Sequence, residues 1–186
     1  MIYPESIEIC DAVFATVATD DADGAAALIW ARGTPGYGPP LALVEWEESQ
    51  FVPSLFTDLR DRLAEVAKKR RARAGSIGIW VEDHRLALLA RMRGVDVHAI
   101  PEHLLGVQAW SGLWSSTAFF VREGLVAVAD AARIRFESSA FAALTFRGGP
   151  RPPDDPTVPA WLYGIVLGLD EAASRPPEPA KVKVVA

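Results

Sequence analysis

Ser6-Ile7-Glu8-Ile9-Cys10-Asp11-Ala12-Val13-Phe14-Ala15-Thr16-Val17, then Asp20, Asp21, Asp23 and Gly24, then the apolar run Ala25 to Arg32, decide the fold class. The first stretch is rich in Ile, Val and Phe and has the pattern of a strand. The Asp/Gly cluster is a turn, because Asp bonds its own backbone and Gly accepts left-handed dihedrals. A third strand, Leu41 to Trp46, follows a loop of glycines and prolines from Gly33 to Pro40. Three strands joined by short connections predict an antiparallel meander. A strand–helix–strand nucleotide fold would need a helix after the first strand and a glycine-rich phosphate loop, and the sequence has neither.

Working outward, Ser54 to Arg73 carries Leu55, Leu59, Leu63, Val66 and Ala67 at helical spacing and is stopped by Gly75. Ser76 to Val81 is a short apolar run, as expected of a central strand. His84 to Arg93 is a second helix closed by Gly94, and Val95 to Ile100 is a further strand closed by Pro101. Leu104 to Glu123 is one helix or a helix with an irregular start. Leu125 to Val128 is a brief extended piece, and helices follow over Ala131 to Phe146 and Thr157 to Ala173. Strands that alternate with helices add in parallel, so the expected fold is a mixed α/β sheet flanked by helices. Residues 1–173 make one domain, and 174–186, with Pro176, Pro177 and Pro179, a flexible tail.

The chain has 186 residues, a formal net charge of −5 and a single cysteine, Cys10, so it forms no internal disulfide and no cysteine metal cluster. No apolar run is long enough to span a bilayer, and the first ten residues lack the layout of a signal peptide. A cytoplasmic setting with no membrane partner is expected. The acidic balance argues against a strong grip on nucleic acid but suits a site built for cations.

Carboxylates recur where apolar elements begin or end. Asp11 lies inside the first strand, where it is solvated, paired or metal-bound, since an isolated buried carboxylate is costly. Glu82 directly follows Ile77-Gly78-Ile79-Trp80-Val81, at the carboxyl end of the expected central strand, where ligands bind in open α/β sheets. Asp83 caps the helix that follows. Asp154 and Asp155 stand before the last helix, one of them the cap and the other a ligand, with Asp155 favoured. Mg²⁺ and Mn²⁺ take such oxygen ligands, and two ions about 4 Å apart activate water against a phosphodiester.

The order of these segments resembles the nuclease domain of the large terminase subunit of tailed bacteriophages, a member of the ribonuclease-H-like superfamily. The likeness runs from about Ile7 to Ala173. It is carried by Ile9-Cys10-Asp11-Ala12, Thr19 to Ala26, Trp30, Ile79-Trp80-Val81-Glu82-Asp83, Gly94 to Pro101, Gly124 to Val128, and Phe141 to Asp155. The resemblance implies a ribonuclease-H-like mixed sheet and a metal-dependent DNA endonuclease that cuts concatemeric viral DNA during genome packaging. It implies two Mg²⁺ or Mn²⁺ ions on Asp11, Glu82 and Asp155 or Asp154, with Asp11 bridging. It also implies double-stranded DNA, an ATPase motor domain, a small terminase subunit and a portal as partners, in the cytoplasm of an infected host. Departures are visible: Val158 and Pro159 stand where the family has a further Asp, and no Gly-x-x-x-x-Gly-Lys-Ser/Thr motor motif occurs.

Two other functions fit the same pattern. A Holliday-junction resolvase of this fold would form a stable dimer, and a degenerate docking module of the packaging machine would bind no metal. Lys68, Lys69, Arg70, Arg71 and Arg73 read either as a DNA backbone contact or as cations favoured by a helix end. His84, His98 and His103 match no zinc spacing. Trp110 and Trp114 read as core or as base-stacking residues, and Cys10 as a small buried hydrophobe.

Overall fold

The computed structural model describes residues 9–19, 24–36, 38–82, 84–100, 119–120, 122–132 and 157–169. Among these the elements are β1 (Cys10–Thr19), β2 (Gly24–Gly33), β3 (Leu41–Gln50), α1 (Leu55–Lys69), β4 (Ser76–Val81), α2 (His84–Met92), β5 (His98–Ala99), β6 (Val126–Val128) and α3 (Thr157–Leu169). The expected stretches Leu104 to Glu123 and Ala131 to Phe146, with Trp110, Trp114 and His103, lie almost wholly outside the described residues, as does the tail.

The sheet is mixed, in the order β5-β4-β1-β2-β3-β6. The meander β1–β2–β3 is antiparallel, and β4 joins β1, β5 joins β4, and β6 joins β3 in parallel. The expected mixed sheet is the observed one. Two apolar layers explain its stability. Phe14, Leu28, Trp30, Leu41 and Leu43 pack beneath α3 on one face. Val13, Ala15, Val17, Ile29 and Val44 pack beneath α1 and α2 on the other. Covering both faces makes β1 almost continuously apolar, as a central strand must be.

β1 starts only at Cys10 and runs on to Thr19, so Asp11 is near its start rather than its middle. The pairing with β2 skips from Cys10↔Gly33 to Ala12↔Arg32, leaving Asp11 as the extra residue of a β-bulge. A bulge re-aims one side chain out of the strand's alternation. This is how Asp11 reaches solvent while Cys10 and Ala12 stay buried. Burial also pushes the Cys10 thiol up from its ordinary value, against the opposing pull of Arg70, as expected of a small core residue.

β4 contains a tight point at Gly78, whose φ of +131° is open chiefly to glycine and whose added Cβ would lie 2.8 Å from the His98 ring. Gly78→Ala is therefore expected to cost about 2 kcal/mol, part from the dihedral and part from displacing the imidazole. A urea titration measures it, and adding His98→Ala should recover only the steric part.

Candidate metal centre

β1 and β4 run parallel, with Val13 beside Ser76 and Val17 beside Val81. Glu82, the next residue of the chain after Val81, thus lies level with the carboxyl-terminal end of β1. α3 crosses this part of the sheet. Thr16 is buried, donates its hydroxyl to the Ala160 carbonyl at 2.7 Å and accepts the Trp30 Nε1–H at 3.0 Å. Further along α3, Gly164 lies on the Trp30 indole and Gly168 on Leu41. Arg32 donates to the Leu167 and Gly168 carbonyls at 3.0 and 3.2 Å. These contacts orient α3, so that its amino-terminal end is at the Glu82 edge and its carboxyl-terminal end at the Asp11 edge.

Glu82 is half-buried, and the hydroxyl of the buried Tyr163 donates to its Oε1 at 3.5 Å. Asp11 has different surroundings. Its Oδ1 accepts the Thr34 hydroxyl at 3.2 Å and lies 3.7 Å from Arg73 Nη1. Its backbone carbonyl receives the Ala74 N–H at 2.7 Å, tying β1 to the loop after α1. It borders a cleft of about 670 Å³ that Arg32, Arg73, Gly33, Ile77 and Gly168 also line. A lone carboxylate with a guanidinium beside it, on a cleft that a second arginine lines, is a poor place for a divalent cation.

The structure does not bring Asp11 and Glu82 together. Asp11 precedes Val17, the residue level with Val81, by six positions along β1, which is about 20 Å at strand rise. Two ions that share a phosphodiester sit about 4 Å apart, so one centre cannot use both carboxylates. The expected bridging role of Asp11 is corrected on that ground. Asp154, Asp155 and Asp83 lie outside the described residues. Among the described residues, no three His, Cys, Asp or Glu side chains stand together as a metal site. A carboxylate held by a phenol at a sheet edge is a suitable oxygen donor for Mg²⁺ or Mn²⁺, and Glu82 fits that part of a site. The sequence next to this edge carries more acids, Asp20, Asp21 and Asp23 after Thr19, and Asp154 and Asp155 before Thr157. Sequence reasoning missed Tyr163 and Thr16. Each is a hydroxyl in an apolar segment, which must find a partner when buried.

His98 packs against Trp80, ring centroids 4.8 Å apart. Burial lowers its pKa, and Asp96 opposes this more weakly. Folding therefore favours neutral His98. Its contribution to stability is present above the ordinary value of 6.5 and is lost as pH falls through the lowered folded value. Denaturation midpoints should drop between neutral and mildly acidic pH, and His98→Gln should flatten that drop.

Neither family models nor curated proteins match the sequence. Solved structures do. The large terminase of a thermophilic bacteriophage, in complex with ADP, matches with a TM-score of 0.57 over 89% of this chain and 40% of that one, at 12% identity. The same protein in a second crystal form matches with a TM-score of 0.52 over 82% and 38%, at 13% identity. The chain has a ribonuclease-H-like fold. The resemblance read from its sequence thus holds for the fold, and the chain spans about two fifths of the length of the terminase it matches. The human cytomegalovirus terminase nuclease domain, Mn soaked, is a looser neighbour, with a TM-score of 0.45 over 86% of this chain and 82% of that one, at 9% identity. No helix among the described residues is long and apolar enough to cross a membrane.

Proposed function

We propose that this chain is a metal-dependent DNA endonuclease, the nuclease domain of a terminase large subunit that cleaves concatemeric viral DNA during packaging. The observation that carries this reading is Glu82, a half-buried carboxylate at the carboxyl edge of a ribonuclease-H-like sheet, with α3 laid across the same edge. Glu82 and Asp155 or Asp154 would hold Mg²⁺ or Mn²⁺. The acidic stretch after Thr19 replaces Asp11 as the contribution of β1. When bound, such ions would supply charge neutralisation at the phosphodiester and an activated water. Tyr163 keeps the Glu82 carboxylate from swinging away, and the apolar layer under α3 keeps bulk water from the inner side of the edge. Double-stranded DNA is the substrate, a motor domain, small subunit and portal are the partners, and the host cytoplasm is the setting.

A second reading is a docking module that has lost its metal. It is favoured by one observation: from Thr16 to Thr19, the part of β1 level with Glu82, no residue is acidic. Incubating the chain with supercoiled plasmid and Mn²⁺ or Mg²⁺ separates the two. Nicking that needs the metal supports the nuclease. A folded chain that neither nicks DNA nor takes up Mn²⁺ in a calorimetric titration is the docking module.

A further inference from the structure

The end of the sheet opposite Glu82 gathers exposed cations. α1 finishes there, because the Arg73 and Ala74 N–H groups bond the Cys10 and Asp11 carbonyls. α2 starts just after Glu82 and must run back toward the same end for β5 to enter parallel to β4. The exposed cations on this side are Lys68, Lys69, Arg71, Arg73, Arg91 and Arg93. Among the described residues the only ion pair they form is Arg73 with Asp11, at 3.7 Å with Arg73 72% exposed.

Helix ends attract cations through the backbone dipole, and this alone would explain the composition. It does not explain Arg71. Its φ of +48° makes it the one non-glycine residue with positive φ among the described residues. The position follows the cap residue Arg70, where a glycine ordinarily turns the chain. α2 ends in that ordinary way, with Gly94 at φ +69°. At the end of α1 the sequence keeps a long cation in a conformation that L side chains resist, and such an outlier points to use of the side chain.

We propose that this basic end binds the phosphate backbone of a DNA duplex whose scissile phosphate lies at Glu82. The proposal rests on the nuclease reading. β4 separates the two ends by about 20 Å, the length of about six base pairs, so one duplex lying along the strands reaches both. On a chain of net charge −5, a local cation patch at one end fixes where the duplex lies and in which direction it leaves the site.

The test is binding of a labelled duplex of about 30 base pairs, without divalent metal, over about 50–200 mM salt. The quadruple variant R71A/R73A/R91A/R93A should bind about tenfold more weakly, and the slope of log affinity against log salt should flatten by about 3. Arg60→Ala, on the middle of α1, should change neither. Arg71→Gly is the sharper variant: it should melt about 2 °C higher, from relieved backbone strain, yet hold DNA more weakly. A more stable Arg71→Gly that binds as the parent does, or a quadruple variant with the parent's salt slope, would overturn the proposal. So would loss of binding to polyglutamate with duplex affinity intact, since the surface would then serve an acidic protein. A parent that holds duplex through these arginines but neither nicks plasmid nor takes up Mn²⁺ would keep this surface and remove the nuclease reading.

Discussion

Glu82→Gln should lower metal-dependent plasmid nicking by about 10³-fold, some 4 kcal/mol of transition-state stabilisation, whereas Asp11→Asn should leave it within about threefold. Both carboxylates are candidates in the sequence, and their surroundings separate them. Gln keeps the size of Glu82 and an oxygen for the Tyr163 hydroxyl while removing the charge a cation needs. Asn at position 11 removes only a long, exposed contact with Arg73 and weakens the Thr34 hydrogen bond. Such surface pairs contribute little to stability, so the variant should melt within about 2 °C of the parent. Asp154→Asn and Asp155→Asn, made singly, decide which of the pair is the ligand, and Asp20→Asn and Asp21→Asn test the contribution from the end of β1. Activity lost with Asp11→Asn and kept with Glu82→Gln would put the centre at the basic end and sink the assignment.

The fold was legible because its signals are local and mutually consistent. Three apolar runs with short connections can hardly avoid a meander, and Leu55, Leu59, Leu63 and Val66 mark one helix face that the structure buries. The candidate site was legible only in part. The place of Glu82 could be read because a charge directly after a buried central strand stands out whatever the register. Asp11 was misplaced because β1 is buried on both faces, and a strand without polar alternation shows neither its boundary nor its bulge. Nor does sequence reveal how a parallel partner slides. The offset of Val13 to Ser76 puts Asp11 and Glu82 at opposite ends. Arg71 was legible only as one cation of the basic cluster, and its positive φ carries no sequence signal.

Gly164→Ala should destabilise the chain by about 3 kcal/mol, although a helix interior prefers Ala to Gly by about 1 kcal/mol. The sign reverses because a Cβ on Gly164 would overlap the Trp30 indole, and that indole has nowhere to go. It is fully buried, stands edge-on to Trp161 with centroids 5.0 Å apart, stacks beside Phe14 at 6.4 Å, and is tethered by its Nε1–H to Thr16. The added methyl must therefore push α3 off the sheet. Trp30→Leu alone should cost about 3 kcal/mol for the lost contacts, but in that background Gly164→Ala should become nearly neutral, a coupling of about 2 kcal/mol or more. Additive costs in the double-mutant cycle would mean that α3 is positioned by something other than this glycine–indole contact. The coupling also reaches function. α3 brings Tyr163 to Glu82, so a helix pushed outward at Gly164 should weaken Mn²⁺ binding in the folded fraction, and Trp30→Leu should restore it.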